Sequence, residues 1–314
     1  MGAYIRRRLL YMLPTIFVPL VLVFLLLRLA PGDPAGQILG DQATPEQIAA
    51  LRHTLGLDQP LPVQFLLWLK GVLTLQLGDS LFFHQPVAQI LPAYAGVTLE
   101  IALVALLIAV LLGLIAGIIA ALHRDGVLDR GLIAIAVLGV SLPEFWLALL
   151  LIFVFAVTLR WFPVSGYVSP AQGVLASAAA IALPALALGL RQSALLTRMT
   201  RSAMLDVLGE PYIVTARAQG LPERTVIGRY ALRTASIPVV TVAGLAASYL
   251  LSGAVAIELI FSLPGLGKLL VDAVSRRDYP VVEGVVLTIA VMLALLNLLI
   301  DLLYAWLDPR IRLR

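Results

Sequence analysis

Long apolar stretches constrain this chain more than any other feature of its sequence. Several runs of 18 or more residues are mostly leucine, valine, alanine and isoleucine. That is the length an α-helix needs to cross the hydrocarbon core of a bilayer. Of the 314 residues, 61% are hydrophobic and 13% are charged, whereas a soluble domain carries far more charge. The sequence therefore predicts an all-α, polytopic membrane protein.

We predict six transmembrane helices that form one bundle. The first follows three consecutive arginines, an arrangement that a secretory signal peptide shares. Its apolar run continues to Leu27 and no small-residue cleavage site follows, so an uncleaved helix is the better interpretation. The predicted spans are 9–29, 97–121, 131–158, 173–190, 237–259 and 284–304.

The distribution of positive charge predicts the orientation of the bundle, because cytoplasmic loops are enriched in lysine and arginine. It places both termini in the cytoplasm. The expected organisation is a first unit over 1–29, an external segment over 30–96, and a core over 97–314 with a cytoplasmic loop at 191–236. Fifteen of the 22 lysine and arginine residues lie on the predicted cytoplasmic side: Arg6, Arg7, Arg8, Arg124, Arg130, Arg191, Arg198, Arg201, Arg217, Arg224, Arg229, Arg233, Arg310, Arg312 and Arg314.

Several classes of chemistry are not supported by the sequence. Gly267 and Lys268 resemble the end of a phosphate-binding loop, but the glycine and the serine or threonine that the motif needs around them are missing. The three histidines are scattered without metal-ligand spacing, and there is no cysteine. The arginines flank apolar spans and are not interleaved with aromatics, which argues against nucleic acid. We predict no catalytic residue, metal or bound cofactor in this chain.

A basic, punctuated element at 210–236 interrupts the apolar sequence. Pro211 suits the first turn of a helix, Gly220 suits its left-handed end, and Pro222 prevents continuation and starts a second helix. A helix of about nine residues is marginal in water, so packing must stabilise it. Two interpretations remain open, a loop on the membrane surface or a docking element for a cytosolic partner. One small-residue face is predicted for contact with another surface: Tyr212, Thr215, Ala216 and Gln219.

Two carboxylates within predicted spans are candidates for function, because burying a charge in a membrane is costly. Glu144 follows Pro143 and lies 14 residues beyond Arg130, which in a straight helix is about 20 Å into the bilayer. Glu258 lies near the outer end of the fifth span. Each either lines a translocation path, as Ser141 also would, or is a hydrogen-bonded packing carboxyl.

A series of short motifs resembles the permease subunits of ABC importers, specifically the dipeptide, oligopeptide and nickel group. In that group a TARAKG-like sequence replaces the general EAA signature of the cytoplasmic loop. Here Val214 stands at the acidic position of that signature and Gln219 at the usual lysine. The matching motifs run along almost the whole chain: 27–34 (LRLAPGDP), 55–60 (LGLDQP), 77–80 (LGDS), 139–146 (GVSLPEFW), 212–220 (YIVTARAQG), 232–238 (LRTASIP), 264–267 (PGLG), 277–280 (RDYP) and 307–310 (LDPR).

The resemblance implies a type I importer fold in a bacterial inner membrane, with 30–96 in the periplasm. It implies three kinds of partner: a homologous second permease, two cytosolic ATPase subunits that bind ATP and Mg²⁺, and a periplasmic or lipid-anchored binding protein. Its substrates would be di- or oligopeptides, or related solutes such as nickel chelates or glutathione. An ATP-independent secondary transporter or channel is the alternative. The residues that the resemblance assigns to ATPase coupling are Glu210, Pro211, Tyr212, Thr215, Ala216, Arg217, Ala218 and Gly220.

Overall fold

The computed structural model describes residues 2–29, 36, 43–54 and 56–307, and the regular elements within these ranges are helical. The all-α prediction is confirmed. We number the helices in chain order: α1 Gly2–Leu29, α2 Pro45–Thr54, α3 Leu61–Leu73, α4 Val87–Leu122, α5 Val127–Ser141, α6 Glu144–Thr158, α7 Val174–Leu208, α8 Pro211–Ala218, α9 Glu223–Gly253, α10 Val255–Ile260, α11 Leu266–Ser275 and α12 Tyr279–Leu307.

Five of these helices, α1, α4, α7, α9 and α12, are long and apolar enough to cross a membrane. The pair α5 and α6 is the sixth candidate, so the described residues provide five or six spans. Parts of the motifs at 27–34, 55–60 and 307–310, and the arginines at 310, 312 and 314, lie outside the described residues.

The third predicted span is broken, and a straight helix over 131–158 is wrong. Helices α5 and α6 meet at an angle of 106°. Leu142 is extended, with φ −82° and ψ 133°, because a residue before proline avoids the helical region. Pro143 then begins the new helix, and its last seven residues, Ile152–Thr158, widen into a π-helix.

Several other helices differ from their predicted bounds. Helix α9 begins at Glu223, before the predicted start at 237, and ends at Gly253, before the predicted end at 259. Helix α4 begins at Val87, before the predicted start at 97, and α7 continues to Leu208 although a loop was expected from 191. Hydropathy marks the apolar part of a helix, whereas an amphipathic part can continue outside the membrane. Beyond 191, α7 keeps Leu196 and Met204 buried while Arg198 is exposed. The first part of the expected cytoplasmic loop is therefore the end of a long helix.

Helices α4 and α7 pack closely along most of their length and form the centre of the bundle. Two glycines of α4, Gly113 and Gly117, face α7 at their closest approach. A Cβ atom at Gly117 would lie 2.5 Å from the Thr200 Cβ and 2.8 Å from the Thr197 carbonyl oxygen. Small residues four apart allow two helix backbones to approach closely in a membrane. This contact fixes the position of α7 relative to α4, and therefore also the positions of the side chains on α7.

The first helix is attached to the last one and to α3. Arg28 of α1 donates to Glu283 of α12 at 2.5 Å and to Gln64 of α3 at 3.1 Å. The ring of Phe65 in α3 packs edge-on against Phe24 of α1, with centroids 5.2 Å apart. Helix α3, part of the segment predicted to be external, therefore lies along α1. The external location of that segment stays a prediction.

Candidate functional site

The short helix predicted between Pro211 and Gly220 is present as α8. Glu210 precedes it in an extended conformation, Pro211 occupies its first turn, and it ends at Ala218. Gly220 follows at φ +78°, the left-handed region that favours glycine. The sequence therefore predicts both ends of this helix to within one residue.

One face of α8 is buried against its own chain. Ile213 is fully buried and Ala216 is 5% exposed. Both belong to an apolar cluster with Met204 and Val207 at the end of α7 and Val226 at the start of α9. This packing explains how a helix of only eight residues is stable, since isolated helices of this length are marginal.

Ala216 differs from the other three residues of the predicted contact face. It was grouped with Tyr212, Thr215 and Gln219 on a face that another surface would approach closely, and the surface that it contacts lies within the chain itself. Because a helix turns 100° per residue, burial of Ile213 and Ala216 points the opposite face away from the bundle. The outward face of α8 is formed by exposed residues: Pro211, Val214, Thr215 and Ala218.

Polar contacts also connect α8 to the helix that follows it. The Tyr212 hydroxyl donates to the Thr234 hydroxyl at 3.2 Å. Arg217 forms an ion pair with Glu223 at 2.8 Å, and both side chains are largely exposed. An exposed pair of this kind contributes at most about 1 kcal/mol. Of the predicted coupling residues, Tyr212 and Arg217 thus have partners within the chain, whereas Glu210 is exposed and makes no side-chain cap hydrogen bond.

Glu144 forms an ion pair that the sequence did not predict. Arg191 of α7 donates through Nη1 to the Glu144 carboxylate at 2.8 Å and to the Tyr249 hydroxyl of α9 at 2.6 Å. The Glu144 side chain is 10% exposed and that of Arg191 is 33% exposed. The group connects α6, α7 and α9.

The expectation about Glu144 is corrected in two respects. Its depth was calculated along a straight helix from Arg130, but the chain bends at Pro143 before reaching it. Its partner Arg191 was assigned to a loop, although it lies within α7. No spacing in the sequence connects Arg191 or Tyr249 to Glu144, because the contact is between three different helices. Ser141, the third path candidate, is exposed and donates to the Val137 carbonyl oxygen at 2.9 Å.

Glu258 does not line a path, because its side chain is completely buried. The Thr98 hydroxyl donates to one carboxylate oxygen at 2.7 Å, and the backbone N–H of Lys268 donates to the other at 2.9 Å. Gly265 lies so close that any Cβ there would overlap the Glu258 carboxylate. The PGLG motif thus lets a carboxylate approach the amino terminus of α11, where backbone N–H groups favour an anion.

We expect Glu258→Gln to destabilise the protein by about 1–3 kcal/mol, because the amide nitrogen replaces an acceptor and one buried donor loses its partner. Thermal unfolding of the purified protein in detergent measures this change. Glu210→Gln, at an exposed position, is the control and should not change the unfolding temperature. A Glu258→Gln protein as stable as the wild type would contradict the structural role.

Two of the short motifs meet in the structure. The Ser80 hydroxyl donates to the buried Asp278 carboxylate at 2.5 Å. The Arg276 guanidinium stacks on the Phe82 ring, 3.5 Å from its centroid. The 77–80 and 277–280 motifs therefore form one unit at the start of α12, a contact between residues nearly 200 positions apart that no local pattern predicts.

Comparison with known proteins identifies the family of this chain. Residues 113–313 match the family described as binding-protein-dependent transport system inner membrane component. Residues 1–83 match the amino-terminal region described for such membrane components. The chain belongs to this family. It is therefore a multi-pass inner-membrane permease subunit of an ABC importer, and partner subunits bind and hydrolyse ATP.

The relatives of this permease are similar over their full length. A putative peptide transport system permease of Brucella abortus is 45% identical over 99% of both chains. The di/tripeptide permease DppB of Pseudomonas aeruginosa is 43% identical over 99% of both chains. The glutathione permease GsiC of Salmonella choleraesuis is 42% identical over 98% of both chains.

A solved structure supports the fold of the permease. A chain of the MetNI methionine ABC transporter, solved in inward-facing conformations, superimposes with a TM-score of 0.57. The match covers 70% of this permease and 97% of that chain, at 18% identity. The predicted ABC permease fold is thus confirmed. An ATPase and a substrate-binding protein are the partners that membership of this family implies.

Proposed function

We propose that this permease imports short peptides, and that it does so together with a homologous second permease subunit. The observation that carries the proposal is similarity across nearly the entire chain to permeases named for peptides, for di- and tripeptides and for glutathione. Glutathione is itself a tripeptide, so the three names describe one chemical class: small, flexible molecules with an amino group and carboxylates.

The outward face of α8 is the surface that fits a cytosolic ATPase. Pro211, Val214, Thr215 and Ala218 are exposed on it, while the opposite face is fixed to α7 and α9 by buried contacts. A helix held in this way transmits a displacement instead of absorbing it, because packed interiors deform little. Movement of the ATPase pair would then move α7 and α9 with α8.

Reconstitution tests the proposed activity. The permease, the second permease and the ATPases are placed in proteoliposomes and supplied with the cognate binding protein. We expect ATP-dependent uptake of di- and tripeptides. Uptake that continues without the ATPases would instead favour an ATP-independent transporter, and uptake of nickel chelates but not of peptides would contradict the assigned substrate class.

The proposed orientation places both termini, α8 and the turn between α4 and α5 in the cytoplasm. Ion pairing supports a common location for the last two, because Arg201 near the end of α7 binds Asp129 at the start of α5. The bundle then exposes the loop around Arg276 on the external side.

Labelling tests this orientation, since the chain has no natural cysteine. We expect Arg276→Cys to react with a membrane-impermeant maleimide in spheroplasts, and Arg224→Cys to react only in inside-out vesicles. Both positions are exposed, so accessibility within the protein is matched. The reverse pattern would invert the topology.

A further inference from the structure

An open cavity of about 280 Å³ lies between α5, α7 and α9, next to the Glu144–Arg191 ion pair. Its walls combine apolar side chains, among them Val140, Leu195 and Leu245, with a small number of polar groups. A mostly apolar cavity with a few convergent polar groups is typical of a small-molecule site. We call it the α5–α7–α9 cavity.

Arg191 presents unused hydrogen-bond donors to this cavity. Its two hydrogen bonds, to Glu144 and to Tyr249, both use Nη1. Within the described part of the chain, neither Nε nor Nη2 donates to a protein acceptor. The side chain is one-third exposed and lines the cavity. The fork formed by these nitrogens matches a carboxylate in geometry.

Gln192 provides a second, independent observation. Its side chain also lines the cavity and is only 6% exposed, yet its amide makes no hydrogen bond to any described residue. The amide nitrogen and oxygen remain accessible from the cavity, since they are not among the enclosed polar atoms that lack a partner. The amide therefore lies beside the free donors of Arg191, where it can form a hydrogen bond with a polar ligand.

We propose that the α5–α7–α9 cavity binds the terminal carboxylate of the transported peptide during its passage. Arg191 receives the carboxylate through Nε and Nη2, and the Gln192 amide donates to the same group or to the neighbouring peptide bond. This inference rests on the proposed import of peptides.

Glu144 lowers the affinity of this site for the bound carboxylate. An isolated guanidinium in a dry cavity would bind a carboxylate strongly, and a transporter with such a site would retain its substrate. Because Glu144 already neutralises Arg191 at 2.8 Å, the pair attracts a carboxylate through directed hydrogen bonds and with little net charge. The expected affinity of the site is therefore weak, as release requires.

Peptides that differ only at the carboxyl terminus test the proposal. Initial rates of ATP-driven uptake are measured for one tripeptide and for its terminal amide, with the binding protein saturated by each in turn. We expect Arg191→Gln to lower the ratio of acid to amide uptake about tenfold or more, since hydrogen bonds to charged groups are stronger than those between neutral groups. Gln192→Leu should lower the same ratio by a smaller factor.

The control variants distinguish an effect on the cavity from a general effect of substitutions in α7. Arg198→Gln makes the same change seven residues further along α7, at an exposed arginine outside the cavity, and should leave the ratio unchanged. Arg191→Gln leaves Glu144 unpaired and can impair folding. The double variant Glu144→Gln/Arg191→Gln removes both charges, and its ratio should fall about tenfold below that of Glu144→Gln alone.

The possible outcomes distinguish a failure of the proposed binding site from a failure of the proposed function. If Arg191→Gln and the double variant lower uptake of acid and amide by the same factor, the ion pair is only structural and the cavity belongs to lipid or to the second permease. If the wild-type complex transports neither peptide, the proposed substrate class is wrong as well. That failure would be seen in the wild type before any variant is measured.

Discussion

Replacing Ala218 with tryptophan should strongly reduce ATP-driven uptake while leaving the permease folded and inserted. Ala218 is exposed on the outward face of α8, so the indole would project towards the proposed ATPase surface and not into the bundle. Overpacking a fitted interface costs on the order of 1–3 kcal/mol, so uptake should fall about tenfold or more. The measurement is peptide uptake in proteoliposomes together with co-purification of the ATPases.

Two variants control this result. Ala218→Ser is small enough to fit and should transport normally. Ala216→Trp changes the same residue type two positions earlier, but Ala216 is buried in the chain's own core, so this variant should lose thermal stability even without any partner. Normal uptake by Ala218→Trp would show that the outward face of α8 does not contact the ATPase.

Replacing Gly117 with valine should impair assembly of the permease severely. The new Cβ would lie 2.8 Å from a backbone oxygen of α7, and a backbone cannot rotate away as a side chain can. Helices α4 and α7 would have to separate along the contact that forms the centre of the bundle. We expect at least a severalfold loss of folded protein, measured by size-exclusion chromatography in detergent.

Gly96→Val on the same helix provides the matched control. A Cβ at Gly96 meets no atom within 4 Å, so the identical substitution should be tolerated there. If both variants accumulate to the same level, close packing at Gly117 does not determine assembly.

Local patterns were sufficient to predict the features of this chain that depend on neighbouring residues. Apolar runs predicted the approximate positions of the candidate membrane spans, apart from the break at Pro143. Pro211 and Gly220 predicted the ends of α8, because helix caps depend on residues at the cap itself. The resemblance of the short motifs to peptide-type permeases predicted the family.

Features that depend on tertiary contacts were not predictable in the same way. The third span was predicted as one straight helix through Pro143, whereas the 106° angle between α5 and α6 depends on how both helices pack. Burial of Ala216 and of Glu258 likewise depends on which neighbours the fold brings to them. Arg191 was counted as a loop cation because hydropathy falls at that point, although the helix continues to Leu208.

The uninterrupted course of α7 has a mechanical consequence. Arg191 and the end of α7 at Leu208 are 17 residues apart on one helix, about 26 Å at 1.5 Å per residue. The proline within α7, Pro184, lies on the other side of Arg191 from α8, so that helix has no weak joint between the two sites. A force on α8 would rotate this part of α7 as a rigid body, and the rotation would be centred on Pro184. The ATP-driven movement of α8 would therefore also displace Arg191. The same displacement would move the substrate's carboxylate onward from the cavity.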